Sequence, residues 1–159
     1  MWWRLARSEF NRCKGAKNRR SLHALVHAGR EPGILAYVDG VPAMWCAVSP
    51  REELPALERS RILARVDDAP VWSIACFFVA PRFRGQGLTV PLIEAAVTHA
   101  AAHGARIVEA YPVEPPGKLP AAFAWTGLAS AFRRAGFVEV ERRSPTRPIM
   151  RRTVRGHRR

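Results

Sequence analysis

The sequence predicts a mixed α/β domain, and three observations carry that. The chain has 159 residues, the size of one ordinary domain with a sizeable core. An Asp39-Gly40 pair stands between two apolar, β-prone runs. Beyond Val71, strand-like runs alternate with helical patterns, as in strand–helix–strand units.

Taken in order, residues Asn18–Ala28 carry Leu22, Leu25 and Val26 at helical spacing, and Gly29 ends the run. Ile34–Val38, the Asp39-Gly40 turn and Val41–Val48 then read as a hairpin. Pro42 has no N–H to give, so it belongs at a strand start or sheet edge. Glu52–Ala64 reads as one or two helical turns interrupted by Pro55, and Asp67, Asp68 and Pro70 mark a loop. Val71–Val79 shows no alternation of polar and apolar residues. That pattern predicts a strand buried on both faces, at the centre of a sheet, with Pro81 stopping it.

Leu88–Ala102 reads as a long helix with Leu92, Ile93, Ala96 and Val97 on its inner stripe and Gly104 as its stop. Arg106–Ala110 is a short strand, Tyr111–Pro120 an irregular proline-rich segment, and Thr126–Ala135 a short helix stopped by Gly136. Phe137–Arg142 alternates as a strand, and Arg147–Val154 reads as the last one. No internal repeat or linker divides the chain. A single domain over 1–154 is expected, with a basic tail at 155–159.

Composition narrows the class. Hydrophobic residues make up 48% and charged residues 25%, which excludes a largely disordered chain. The apolar run Val71–Ala80 is too short for a membrane helix, and Leu88–Ala102 is broken by Pro91, Glu94 and His99. The opening MWWRLARSEF lacks the apolar stretch of a secretory signal. Cys13, Cys46 and Cys76 are few, odd in number and widely spaced, against a disulfide framework or a zinc site. A cytoplasmic protein is expected.

The net charge is +13, and it sits at the ends: residues 1–30 sum to +7, residues 142–159 to +8, and the middle to −2. A basic end can bind nucleic acid by counterion release. It can equally be a solvated edge in a chain that takes Arg for most of its cations. The tail RRTVRGHRR has no aromatic residue to stack on bases, so nucleic acid is not the expected partner.

The stretch Val79–Leu92, VAPRFRGQGLTVPL, is where chemistry is expected. A buried strand runs into a turn holding Arg82, Arg84, Gly85 and Gly87, and a long helix follows. Glycines let a ligand approach the backbone, and a helix start offers unpaired N–H groups at the positive end of its dipole. With two arginines added, the pattern suits a phosphate or pyrophosphate. It is not a P-loop, because no lysine is present. The dinucleotide pattern GxGxxG fails at Val90, and the acid expected about 20 residues on, Glu109, falls inside a strand.

The region resembles motif A of the GNAT superfamily of acyl-CoA-dependent N-acyltransferases. Val79 and Pro81 match the VxP at the strand end, and Arg84-Gly85-Gln86-Gly87-Leu88-Thr89 matches the loop, with Thr89 where the family has Gly or Ala. The overlapping register Arg82-Phe83-Arg84-Gly85-Gln86-Gly87 fits fully. Ala131-Phe132-Arg133-Arg134-Ala135-Gly136-Phe137 is similar to the family's helix ending in LYEKxGF. The resemblance covers about residues 18–150. The wording WCAVSPREE, PVWSIACFF, EAYPVEP and RRSPTRPIM resembles a subgroup common in GC-rich actinobacteria.

The resemblance implies a GNAT-type fold, a mixed central sheet flanked by helices, whose splayed central strands hold acyl-CoA. It implies acetyl-CoA as cosubstrate, no metal, and a small-molecule or peptide amine as the acceptor. A homodimer is compatible with it. The pantetheine arm would lie along Phe77, Phe78 and Val79, with the Val79 N–H facing the thioester oxygen. The amides from Arg84 through Gly85, Gln86, Gly87 and Leu88 to Thr89 would hold the pyrophosphate, with the Arg82 and Arg84 side chains reaching phosphates.

An acid for the leaving thiolate is often a Tyr on the late helix. Phe132 stands there, so Ser130, Tyr111 and a water are the substitutes. Trp125 replaces an Asn that often contacts the pantetheine. For the base, Glu109 at the end of its strand is the first candidate, with Glu114, Glu52 and Glu53 beside it. Cys76 reads as core. His23 with His27, and His99 with His103, have a helical spacing that can bind metal, but no third ligand is evident, so both pairs read as surface residues. Trp45, Trp72, Phe123 and Trp125 are candidates for an aromatic wall, Trp125 foremost.

The reading is therefore an N-acetyltransferase acting by direct attack of a primary amine in a ternary complex. Its alternatives are a non-catalytic acyl-CoA-binding protein of the same fold and, further off, a nucleic-acid-binding module.

Overall fold

The structure is a computed structural model and describes residues 1–117, 120 and 123–154. Six strands form one sheet: β1 (Ile34–Val38), β2 (Val41–Pro50), β3 (Trp72–Val79), β4 (Ile107–Ala110), β5 (Val138–Arg142) and β6 (Pro148–Thr153). Their order across the sheet is β1-β2-β3-β4-β6-β5. Every neighbouring pair is antiparallel except β3 and β4. Parallel neighbours need a crossover. It contains α4 (Thr89–Ala102), which packs on β2 and on α5 (Ala129–Arg134). Two helices, α1 (Arg7–Arg12) and α2 (Ala16–His27), precede the sheet, and α3 (Pro55–Glu58) follows β2. Among the described residues no helix is long and apolar enough to cross a membrane.

The hairpin forms as expected. Asp39 and Gly40 have φ of 50° and 75°, the two positive values a type I′ turn requires. Pro42 pairs with Tyr37 across a register shift, and β2 meets β3 only from Met44 on, so the missing N–H breaks no central ladder.

β3 is central in the sheet. Ile74 belongs to the core under α4, whereas Ala75 points into a second cluster with Leu54, Leu57, Tyr111 and Ile149 on the other face. The expected burial of both faces holds through Phe77 and ends at Phe78, which is 56% exposed. On α4 the inner stripe Leu92, Ile93, Ala96 and Val97 is buried, and the helix stops before Gly104 at φ 86°.

Three local expectations shift. Pro55 opens α3 instead of interrupting a helix, because its fixed φ suits a first helical position. The late helix starts at Ala129 and not at Thr126, since Gly127 has φ 84° and Leu128 is extended, bridged to Val113. The short α1 was not expected; its six residues bury none of their side chains and leave no apolar stripe to read. The expected tail at 155–159 lies outside the described residues.

The feature that positions the site is how soon β3 and β4 part. Their pairing covers Trp72 with Val108, Ser73 with Glu109, and Ile74 with Ala110. Beyond Ile74, β3 continues along β2 as far as Val79, with no β4 partner.

Candidate active site

Strand geometry decides which backbone groups face the opening. The Ala80 N–H donates to the Ala43 carbonyl at 2.9 Å, on the β2 side. Amides alternate along a strand, so those of Phe77 and Val79 face away from β2. The Phe77 N–H donates to the Trp125 carbonyl at 2.6 Å. The Phe77 N–H is therefore not free to pair with a ligand: a loop carbonyl has taken it. The Val79 carbonyl accepts a hydrogen bond from Arg84 Nε at 3.0 Å. The Val79 N–H is left facing the opening.

The chain then turns. Pro81–Phe83 form a 3₁₀ turn, and Gln86 Nε2 donates back to the Arg82 carbonyl at 2.9 Å. Gly85 and Gly87 have φ of 73° and 74°, and a Cβ built on either would meet no atom within 4 Å. Both glycines thus satisfy a left-handed backbone and leave open space in front of it. No side chain caps the start of α4, whose N-cap is Leu88. Its first amides are free donors at the positive end of the helix dipole.

These elements bound a cleft of about 650 Å³. One wall is Phe77–Val79 and Phe83–Thr89; the other is Trp125, Gly127, Leu128 and the α5 residues Ser130, Ala131 and Arg134. Of the expected cosubstrate residues, Phe77, Phe78, Val79, Arg84, Gly85, Gln86, Gly87, Leu88 and Thr89 all line it. Arg82 does not, and its guanidinium lies 4.8 Å from the Phe83 ring centre. Ser130 lines the cleft, as does Arg134 one helical turn further along the same face. Arg134 was missed, although a basic residue four after Ser130 is visible in the sequence. Among the described lining residues there is no Asp, Glu or His, so the cleft carries only positive side-chain charge, from Arg84 and Arg134.

The expected base and one expected acid lie elsewhere. Glu109 is 1% exposed and pairs with Ser73, at a level of the sheet where β3 and β4 are still joined. Arg51 Nη1 donates to it at 2.9 Å and Arg151 Nε at 2.7 Å. The Tyr111 hydroxyl donates to the same carboxylate at 2.7 Å. That uses its only proton, so its lone pairs accept from Arg51 Nη1 at 2.5 Å and from Ser73 Oγ at 2.8 Å. Burial, followed by the charge of Glu109, pushes the Tyr111 pKa far up. Glu109 and Tyr111 thus form a buried polar network with Arg51, with no access to the cleft.

The other carboxylates are engaged too. Glu114 is held by Arg133 and Arg142, whose hydrogen bonds lower its pKa to about 2. Glu53 pairs with Arg4 and Arg30, and Glu52 with Arg65 at 3.1 Å. Phe132 is fully buried, edge-on to Phe77 and Phe137 at 5.9 and 5.0 Å between ring centres. Trp125 stacks on Trp3 at 5.7 Å, so the N-terminal segment backs one wall of the cleft.

Part of the charge at the basic ends is tied down where it is described. The Arg7 guanidinium sits 3.8 Å from the Trp2 ring centre. Arg143 donates to the carbonyls of Ala64 and Arg65, Arg152 to that of Ala135, and Arg151 pairs with Asp67 as well as Glu109. Arg12, Lys14, Lys17, Arg19 and Arg20, on or beside the first two helices, are exposed and pair with no carboxylate among the described residues.

Residues 1–123 match the family model described as "Acetyltransferase (GNAT) family". The chain belongs to the GNAT acetyltransferase family. Among solved structures it is similar to a ribosomal-protein-alanine N-acetyltransferase from Brucella melitensis, at 16% identity and TM-score 0.57, covering 88% of this chain and 79% of that one. It is similar to a GNAT-family acetyltransferase from Streptococcus agalactiae 2603, at 13% identity and TM-score 0.57, covering 93% and 79%. An agmatine N-acetyltransferase gives 14% identity, TM-score 0.55, and coverage of 88% and 81%. At such identities the likeness is one of fold. No curated protein matches the chain.

GNAT acetyltransferases typically use acetyl-CoA. The residues present fit that group: two glycines with open space before them, free amides at a helix start, and two arginines without a carboxylate among them.

Proposed function

We propose that the protein transfers the acetyl group of acetyl-CoA to a primary amine, by direct attack within a ternary complex. The observation that supports this is the opening beyond Ile74 and Ala110, whose mouth is the Arg/Gly turn at the start of α4. Acetyl-CoA supplies an activated acetyl thioester. The amides from Gly85 to Thr89 would hold its pyrophosphate, with Arg84 and Arg134 neutralising charge. The Val79 N–H would donate to the thioester oxygen and stabilise the negative charge that develops there. Ser130 is the candidate to give the leaving sulfur a proton. With every candidate carboxylate held by arginines, the amine loses its proton to water in the cleft.

The reading takes the protein as a cytoplasmic domain over residues 1–154, of the actinobacterial-type subgroup, with a small molecule or peptide as acceptor and a homodimer as its assembly. It does not choose an acceptor: among the similar structures one is a ribosomal-protein-alanine N-acetyltransferase and another an agmatine N-acetyltransferase.

A second reading, a non-catalytic acyl-CoA-binding protein, is favoured by Phe132 in the core and by the absence of Asp, Glu and His from the described cleft lining. One experiment serves both. Calorimetric titration with acetyl-CoA, CoA and ATP should give micromolar binding of the first two and none of ATP. Thiol release across a panel of amines should then show sustained turnover. Binding without turnover on any amine supports the second reading; no CoA binding ends both.

A further inference from the structure

Three ligating side chains converge far from the cleft, at the other end of β3 and α4. His99 and His103 sit one turn apart, in the last turn of α4 and at its C-cap. Glu31, from the segment between α2 and β1, reaches both. Its Oε2 lies 3.6 Å from His99 Nε2 and 3.4 Å from His103 Nε2. All three ligating atoms fall within 4.8 Å of one another.

These separations have a chemical meaning. A direct N–H···O hydrogen bond spans about 2.7–3.2 Å, so both contacts are long for one. Two ligands on a tetrahedral ion with bonds of about 2.0–2.1 Å are about 3.3–3.4 Å apart. The two separations from Glu31 are those of side chains around a common centre.

The nitrogens are set up as ligands. His103 Nδ1 lies 2.8 Å from the His99 carbonyl. A carbonyl only accepts, so Nδ1 carries the proton, and in the neutral ring Nε2 then presents its lone pair, the arrangement that orients metal-binding histidines. His99 Nε2 is buried and has no hydrogen-bond partner. A buried polar atom of that kind calls for one. Trp72 packs against both rings, at 5.8 and 5.5 Å between centres, and the imidazoles lie 4.4 Å from each other. Their orientation is thus fixed by packing. The Glu31 side chain is 60% exposed and that of His103 42%, so an ion has a path in from solvent.

We propose that Glu31, His99 and His103 bind a divalent transition-metal ion of the zinc class, with the fourth position open to solvent. Two imidazoles and one carboxylate suit Zn²⁺, and Co²⁺, Ni²⁺ and Cu²⁺ compete for such a set. Trp72 and Val79 are the two ends of β3, so about 20 Å separates this centre from the cleft. The ion therefore acts on the fold, fastening the segment before β1 to the end of α4. The inference does not depend on the acetyl-transfer reading.

The test uses tag-free, chelator-stripped full-length protein titrated with Zn²⁺ by calorimetry and with Co²⁺ by visible absorption. One ion per chain is expected at micromolar or tighter affinity, with the strong visible bands of low-coordinate Co²⁺. Zn²⁺ should raise the melting temperature. His103→Ala and Glu31→Gln, at exposed positions, should each weaken binding by at least about tenfold. The exposed pair His23 and His27, whose Nε2 atoms are 3.0 Å apart, is the control: the double variant His23→Ala/His27→Ala should bind as the parent does. No binding, binding that survives both ligand variants, or binding lost only with His23 and His27 would overturn the proposal.

Discussion

The carbonyl of Trp125 accepts the backbone N–H of Phe77 at 2.6 Å and closes the first gap left where β3 and β4 part. A loop thus stands in for a strand at one residue, and the opening proper begins at Val79. Gly127, two residues after Trp125, makes the loop's return possible at φ 84°.

Gly127→Ala should therefore be costly. Its Cβ would come 2.7 Å from Phe132 and 3.0 Å from Phe77. Left-handed strain and overpacking together predict a loss of about 2–4 kcal/mol, read by urea denaturation. Acetyl-CoA binding should weaken with it, because the displaced loop forms one wall of the cleft.

Gly87→Val separates binding from folding. The added Cβ meets no protein atom within 4 Å, so the strain of φ 74° is the main term opposing folding, about 1–2 kcal/mol. Acetyl-CoA affinity should fall by more than about tenfold, since the same space belongs to the ligand. A folded Gly87→Val protein that binds acetyl-CoA normally would place the phosphate cradle elsewhere.

Arg51 is 1% exposed and donates to Glu58, Glu109, Tyr111 and the Leu63 carbonyl. Arg51→Met leaves the buried Glu109 charge with Arg151 as its one cation and the Tyr111 hydroxyl as its other donor, and should cost about 3–5 kcal/mol. Glu109→Gln tests the chemistry: the folded fraction should keep kcat within about twofold. A loss of about a hundredfold or more, with acetyl-CoA affinity retained, would restore Glu109 as a base.

Ser130 and Arg134 share the cleft-facing side of α5 but should fail differently. Ser130→Ala should lower kcat by about 10–100-fold with acetyl-CoA affinity unchanged, if its hydroxyl protonates the leaving sulfur. Arg134→Ala should instead weaken acetyl-CoA binding by about tenfold and flatten its salt dependence. Steady-state kinetics beside calorimetry distinguishes the two.

Glu114 makes stability depend on acid. Its pKa falls from 4.5 to about 2 through the hydrogen bonds of Arg133 and Arg142. A depressed carboxylate stabilises the fold above its unfolded pKa and loses that contribution as pH drops through the folded value. The stability gap between the parent and Glu114→Gln should be full at pH 6 and shrink between about pH 4.5 and 2. Urea midpoints across that window measure it.

Features coded by neighbouring residues were legible in the sequence. Asp39-Gly40 dictates its own turn, the α4 stripe its own buried face, and the Arg84–Thr89 turn its own cradle. The acid–base assignments were not, because their partners are remote. Glu109 is claimed by Arg51 and Arg151, 58 and 42 positions away, and nothing local to the IVEA strand announces either. The same holds for Glu31, which supplies His99 and His103 with the third ligand the helix alone lacks. Trp3 is a further case: it reaches across the chain to hydrogen-bond the Ala75 carbonyl and stack on Trp125.

The brief pairing of β3 with β4 also makes the sheet two leaves, β1-β2-β3 and β4-β6-β5, hinged along a seam from Trp72 to Ile74. Each leaf is braced by antiparallel ladders of its own, so its amides should exchange with solvent as a separate cooperative unit. A ligand seated in the cleft touches β3 and α4 on one side and α5 on the other. It would bridge the leaves and slow exchange in both at once, far beyond the residues it contacts.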